Sequence, residues 1–232
     1  MMKPIIEIRH QSRGATQARG IVVVIDVLRA FSTVCYIAAA GARRIWAVAD
    51  GASALALFLS HGPAVLIGER HGRRLPGFDW GNSPSLLQAA ALANQAVIFT
   101  TSNGTRGVVA ARYADEILTG GFVNAGAVAA YIRDRKASHV SLVCMGSDGR
   151  PALEDTLCAL YLKATLEGKA LAFEALRRAI LRGSGAAIFK KSDCADMPPE
   201  DLKLCLDLDR FDFVLRAVQG PEGVVALERV PA

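Results

Sequence analysis

The run Ile21-Val22-Val23-Val24-Ile25 constrains this chain more than any other stretch. Five β-branched aliphatic residues without alternation describe a strand buried on both faces, and such strands belong to sheets covered by helices on either side. The next segments keep that rhythm. Arg29 to Ala40 reads as a helix closed by Gly41, Ile45 to Val48 as a strand, Ala52 to Ser60 as a helix, and Ala64 to Ile67 as a strand ending in Gly68-Glu69-Arg70. A central strand, Val97-Ile98-Phe99, stops in Thr100, Thr101, Ser102, Asn103, Gly104 and Thr105 before a helical pattern from Arg106 to Tyr113. Glu116 to Leu118, Ala125 to Arg135, His139 to Cys144, Leu153 to Glu167 and Phe173 to Arg182 continue as strand, helix, strand, helix and helix. Strand and helix alternate, which predicts an α/β protein with a largely parallel or mixed sheet.

The ends of the chain are less regular. Ile5 to Ile8 reads as an edge strand, Pro198-Pro199-Glu200-Asp201 starts a helix, Phe211 to Val218 reads as another, and Val224 to Val230 alternates as a closing strand. Residues 68–84, with four glycines, two prolines and six ionisable side chains, form a long loop of the kind that usually carries function. A helix from Pro84 to about Leu92 should come next, with Ser83 as its N-cap. No linker divides the chain, so residues 1–232 are expected to form one domain. The strand-loop-helix units at Asp26 and Thr100 leave room for two related halves.

At 232 residues the chain can bury ample apolar surface. The net charge of +5 is scattered, and no basic tail or aromatic-interleaved run marks a nucleic-acid track, so a small acidic ligand fits the balance as well as a polynucleotide. Five cysteines without a C-x-x-C pair read as buried thiols, and His10, His61, His71 and His139 lie too far apart in sequence to suggest a zinc site. Met1 to His10 lacks the layout of a signal peptide, and no stretch of about 18 apolar residues offers a membrane span. The expectation is a cytoplasmic soluble protein, with a homo-oligomer left open.

In open parallel sheets ligands bind beyond the carboxyl ends of the strands. The strongest strands end in Asp26, Glu69, Thr100 to Thr105 and Cys144 to Gly149, so these termini should converge on one rim. That inventory of carboxylates, hydroxyls and glycines suits a magnesium-bound phosphate. The Thr100–Thr105 run reads as an anion cradle: Asn103-Gly104 permits a left-handed turn, the turn exposes N–H groups, and Arg106 adds charge. Each residue also has a plainer reading. Asp26 is either a helix N-cap or a metal ligand or nucleophile. Arg29 either clamps phosphate or pairs with a carboxylate, Glu154-Asp155 are either ligands or first-turn residues favoured by the helix dipole, and Glu69-Arg70 could be a surface pair. Cys144 and Arg150 raise a rival, since Cys-Met-Gly-Ser-Asp-Gly-Arg has the Cys-x5-Arg spacing of metal-free cysteine phosphatases. Asp148 within that loop would repel a phosphate. A third reading is a non-catalytic binder of a nucleotide or phosphorylated metabolite, which needs the donors without the carboxylates.

Several segments carry a resemblance. Val24-Ile25-Asp26-Val27-Leu28-Arg29-Ala30, Gly68-Glu69-Arg70 through Gly77-Phe78-Asp79-Trp80-Gly81-Asn82-Ser83-Pro84, Thr101-Ser102-Asn103-Gly104-Thr105, and Cys144-x-Gly-x-x-Gly149 with Glu154-Asp155 resemble the 2-phosphosulfolactate phosphatase family, the ComB proteins. The likeness runs in order from about residue 21 to 160 and thins beyond 185. It implies a three-layer α/β/α fold and a magnesium-dependent phosphatase that hydrolyses 2-phosphosulfolactate to 3-sulfolactate in coenzyme M synthesis. Carried over by position, it implies metal ligation by Asp26, with Glu69, Glu154 and Asp155 as further candidates. It places catalytic roles on Asp26, Arg29 and Asn103, and substrate contacts on Ser102, Asn103, Gly104 and Thr105, with Asn82 and Ser83 nearby.

Overall fold

The computed structural model describes residues 4–191 and 194–232. Its strands are β1 (Ile5–His10), β2 (Ile21–Ile25), β3 (Arg44–Ala47), β4 (Val65–Arg70), β5 (Arg73–Arg74), β6 (Ala96–Thr100), β7 (Glu116–Gly120), β8 (His139–Cys144), β9 (Phe213–Gln219) and β10 (Val225–Pro231). The helices are α1 (Gln11–Gln17), α2 (Ala30–Ala39), α3 (Gly51–His61), α4 (Gly104–Ala110), α5 (Ala125–Asp134), α6 (Leu153–Leu166), α7 (Phe173–Arg182), α8 (Ser184–Lys191) and α9 (Glu200–Cys205). The strands form one ten-stranded mixed sheet in the order β1-β8-β2-β7-β9-β10-β3-β6-β4-β5.

The expected burial of β2 on both faces is met by a division of labour. Val22 and Val24 pack with Phe31 and Val34 of α2 and Val108 of α4, whereas Val23 and Ile25 pack with α5 and α6 through Val128, Ile132 and Leu162. Across the sheet, Val97 and Phe99 of β6 join the first cluster, and Ile98 joins a separate one with Ala54 and Leu57 of α3. Helices therefore cover both faces, as an α/β sandwich requires.

The strand directions give the mixed form of the expected sheet. β1, β8, β2 and β7 run parallel, and so do β3, β6 and β4, but three antiparallel pairings (β7–β9, β9–β10 and β10–β3) separate the two blocks. An odd number of reversals sets the blocks in opposite directions, so a flat sheet would send Asp26 and Thr100 to opposite edges. Sheet twist, about 20–25° per strand step, works against that divergence over the five steps from β2 to β6. Close packing of α4 completes the approach. A Cβ at Gly104 would lie 2.7 Å from Ala30 Cβ and 2.8 Å from Asp26 Oδ2, and one at Gly107 would lie 2.7 Å from Val24 Cγ1. These two glycines let the turn after β6 sit directly on the end of β2.

Local expectations also change. Phe211 to Val218 is not helical: Phe213–Gln219 is β9, because the apolar run Phe213-Val214-Leu215 finds strand partners on both sides in the gap between the blocks. The closing strand exists as β10, in the interior of the sheet. Only Leu86–Ala89 of the expected Pro84–Leu92 helix forms, as a single 3-10 turn. Within the long loop, β5 folds back on β4 as a two-residue hairpin pairing Glu69 with Arg74, and Gln11–Gln17, which showed only as a polar stretch, is helical.

Candidate active site

A cleft of about 210 Å³ is lined by Asp26, Arg29, Glu69, Asn82, Ser102, Asn103 and Glu154, so seven of the sequence-predicted residues meet there. Gly146, Ser147 and Asp148 form part of its wall. Ile188, Phe189 and Met197, from α8 and the turn after it, add apolar surface. Nothing in the sequence marked these last residues, because their approach depends on how the carboxy-terminal segment returns to α2.

Asp26 ties down the start of α2, whose N-cap position is Arg29, and also lines the cleft. Its Oδ1 accepts the Ala30 N–H at 3.0 Å and its main-chain oxygen accepts the Phe31 N–H, so it organises the start of α2. At 7% exposure the same carboxyl lines the cleft. Burial pushes its pKa up to about 7, with the charges of Glu69 and Glu154 adding to the rise and the amides of Ala30 and Gly104 opposing it. Glu154, in the first turn of α6, is also buried and also raised by burial. Its carboxylate faces Gly185, where a Cβ would come within 2.8 Å of either oxygen.

Glu69 is not part of a surface pair. Its Oε1 accepts the Ser102 N–H at 2.7 Å, and its Oε2 accepts the Gly72 N–H at 2.8 Å and the Ser102 hydroxyl at 3.1 Å. The Ser102 Oγ in turn accepts the His71 N–H. This knot fastens the β4–β5 hairpin to the turn after β6, while Arg70 turns away to Thr100 and to the Ala49 carbonyl.

The anion-cradle expectation is corrected by the same contacts. The Ser102 amide is given to Glu69, the Thr101 amide to Thr105 Oγ1 at 3.1 Å, the Thr105 amide to Thr101 Oγ1 at 3.3 Å, and the Gly104 amide to Asp26. Neither Asn103 nor Gly104 has a positive φ. Gly104 is required by its close approach to Ala30 and Asp26, not by a left-handed turn. Thr105 is fully buried and stands outside the cleft lining, Arg106 is exposed, and Asn103 caps nothing and lines the cleft.

Asp155 and Ser83 also lie outside the cleft lining. Asp155 receives the Val27 N–H at 2.9 Å on Oδ1 and the Gly146 N–H at 2.8 Å on Oδ2, which makes it a tie between the ends of β2 and β8. Ser83 donates its hydroxyl to Asp201 at 2.9 Å. Arg29, 4% exposed, forms a 2.7 Å ion pair with the equally buried Asp201. The sequence placed Asp201 only at a helix start and gave no hint of a partner 172 residues away.

The geometry disfavours a thiolate mechanism. Cys144 is buried, its thiol points to the Asp155 carbonyl oxygen at 3.4 Å, and burial together with Asp155 pushes its pKa far upward. Arg150 is exposed in the turn it shares with Ser147 and does not line the cleft. A cysteine nucleophile needs a lowered pKa and access. Cys144→Ser is expected to retain most of the wild-type rate of phosphate release in magnesium. Loss of all activity in this variant, with wild-type activity persisting in chelator, would reinstate the thiolate.

The donor set suits a hard cation. Asp26, Glu69 and Glu154 offer carboxylate oxygens to one cleft, which is ligand chemistry for magnesium or calcium rather than zinc. Among the described residues no three His, Cys, Asp or Glu side chains are gathered closely enough to hold an ion. Magnesium is usually held by one or two carboxylates, with waters and substrate phosphate completing its shell, so a ready-made cage is not needed.

Comparison with known proteins gives the chain a family. The family described as 2-phosphosulpholactate phosphatase matches residues 7–220. The chain belongs to that family. A Bacillus subtilis relative named probable 2-phosphosulfolactate phosphatase is 32% identical over 214 residues, covering 90% of this chain and 91% of its own length. A Synechococcus relative of the same name is 34% identical over 230 residues, covering 88% and 90%. Matches of higher identity are shorter: 39% over 150 residues with the relative from Gloeobacter violaceus, covering 64% of each chain. The chain likewise spans 59% and 58% of its relatives from Caldicellulosiruptor saccharolyticus and Deinococcus radiodurans.

Proposed function

We propose that this chain is a magnesium-dependent phosphatase that hydrolyses 2-phosphosulfolactate to 3-sulfolactate and phosphate, the step used in coenzyme M synthesis. The names of its relatives support the substrate. The observation that carries the chemistry is the cleft itself, where three buried carboxylates face one space and the neighbouring guanidinium is already paired with Asp201. A phosphorylated, multiply anionic substrate enters such a site only with a cation between it and the carboxylates. A non-catalytic phosphate binder has no use for that arrangement.

Asp26 and Glu154 are the residues we assign to hold the cation, with Glu69 beside them as the organiser of the facing turn. Bound there, magnesium would neutralise and polarise the phosphoryl oxygens. Arg29 grips the phosphate, and Asn103 offers its carboxamide from the start of α4. Ile188, Phe189 and Met197 reduce water access on one side, which strengthens each of these electrostatic contacts. Phosphoryl transfer asks for positioning and charge more than for covalent chemistry, and these residues supply both.

The test is phosphate release from a panel of phosphomonoesters that includes 2-phosphosulfolactate, with magnesium and with chelator. The expected outcome is turnover of 2-phosphosulfolactate above the rest of the panel, stopped by chelation. Turnover indifferent to chelator would remove the metal from the proposal, and preference for another ester would replace the substrate.

A further inference from the structure

Asp201 is fully buried, and its two oxygens serve different partners. Oδ1 accepts the Ser83 hydroxyl at 2.9 Å, the Ser85 hydroxyl at 2.6 Å and the Ser85 N–H at 3.0 Å. Oδ2 accepts Arg29 Nη1 at 2.7 Å, and the same Nη1 donates to the Asp196 carbonyl oxygen at 2.7 Å. Both hydrogens of Nη1 are thereby used. The Nε–H and the two hydrogens of Nη2 have no acceptor among the described residues, and Arg29 lines the cleft.

The edge formed by Nε and Nη2 is the fork with which arginine binds a phosphate through two parallel hydrogen bonds. We propose that Asp201 is a positioning residue for the phosphatase reaction: it pins Nη1 so that the free fork of Arg29 faces the substrate phosphate. The pin also has a negative purpose. A guanidinium free to swing would pair with Asp26 or Glu154 and occupy the carboxylates assigned to the cation, whereas Arg29 makes its ion pair with Asp201. The geometry gives the carboxy-terminal segment a share in the site, since Asp196 and Asp201 hold an arginine that lies at the start of α2.

This inference rests on the proposal that the cleft binds a phosphate, and inorganic phosphate in the presence of magnesium is the probe. Asp201→Asn is the informative variant. The carboxamide oxygen can keep the three donors from Ser83 and Ser85, which places its NH2 against Arg29 Nη1, donor against donor. The folded variant is expected to bind phosphate about tenfold more weakly and to raise KM by a larger factor than it lowers kcat. In a cycle with Arg29→Lys, adding Asp201→Asn to the lysine variant is expected to cost less than twofold further, because both changes remove the same contact. Multiplicative losses, or a folded Asp201→Asn that binds phosphate within twofold of wild type, would reduce Asp201 to a purely structural residue. If Asp201→Asn does not fold, Asp201→Glu decides, since it keeps the charge but displaces the carboxylate by one methylene; wild-type phosphate affinity there overturns the assignment. A wild-type protein that binds no phosphate removes the proposed function and this inference together, whereas equal binding by wild type and variant removes the inference alone.

Discussion

Asp26→Asn is expected to lower magnesium-dependent phosphate release by about 10³-fold, the scale of losing a principal electrostatic group in an active site, while making the metal-free protein more stable at pH 8. The two effects share a cause. Asp26 is a carboxyl whose pKa is raised from 3.8 to about 7 by burial first and by Glu69 and Glu154 second. A raised carboxyl pKa means that the folded state binds the proton more tightly than the unfolded state, so the contribution to stability is fullest below about pH 4 and declines as pH rises towards about 7. Above that, the fold holds an unfavourable charge worth on the order of 4 kcal/mol, at 1.36 kcal/mol per unit. The asparagine oxygen can keep the Ala30 N–H, but its NH2 then meets the Gly104 amide at a cost of about 1–3 kcal/mol. The net gain at pH 8 should be about 1–3 kcal/mol by denaturant unfolding in chelator, and the stability-pH profile of the variant should be flatter between pH 4 and 7. Normal turnover would leave Asp26 as a cap, and an unchanged pH profile would show that its charge does not burden the fold.

Such a residue is legible because of where it stands. An unbroken aliphatic strand ending in a carboxylate announces burial and charge together, and the same reasoning brings Glu69 into view, whereas Glu154, in the first turn of α6, is pointed to by the family resemblance. Strand-helix alternation likewise reveals the sandwich and most helix positions, including α6 and α7. Topology is what the sequence hides. Phe213-Val214-Leu215 satisfies helical and strand periods equally, and only the gap between two oppositely directed blocks makes β9 a strand. The glycine that opens α4 suggests conformational freedom, whereas the use of both Gly104 and Gly107 is the absence of a side chain against Ala30, Asp26 and Val24. Contacts over long sequence separations are hidden for the same reason: Asp201 meets Arg29 and Ser83 only after the chain has completed the sheet. Polar residues in the Thr100–Thr105 run do serve as donors, but their acceptors are one another, Glu69 and Asp26.

Asp155→Ala is expected to be the most destabilising of these single substitutions, and by the same amount with or without magnesium. Asp155 is adjacent to a proposed ligand and matches the resemblance as a ligand, yet its oxygens are engaged with the backbone. Oδ1 takes the amide of Val27, which directly follows Asp26 at the end of β2, and Oδ2 takes that of Gly146, two residues beyond the end of β8. These strands are parallel neighbours with Ile25 opposite Cys144, so one buried carboxylate closes the ends of both. Alanine strands two buried N–H groups at about 1–3 kcal/mol each and leaves a void, for a total of about 3–5 kcal/mol. Asparagine should recover only part of that, because its single oxygen can serve one amide while its NH2 opposes the other. Burial and the Asp26 charge hold the Asp155 carboxyl well above the usual carboxylate range, so its removal also relieves some charge; what marks a metal ligand is that its removal abolishes the stabilisation that magnesium confers. Thermal or denaturant unfolding of Asp155→Ala in chelator and in magnesium therefore separates the roles. Stability equal to wild type without metal, with magnesium no longer stabilising the variant, would return Asp155 to the ligand set beside Asp26 and Glu154.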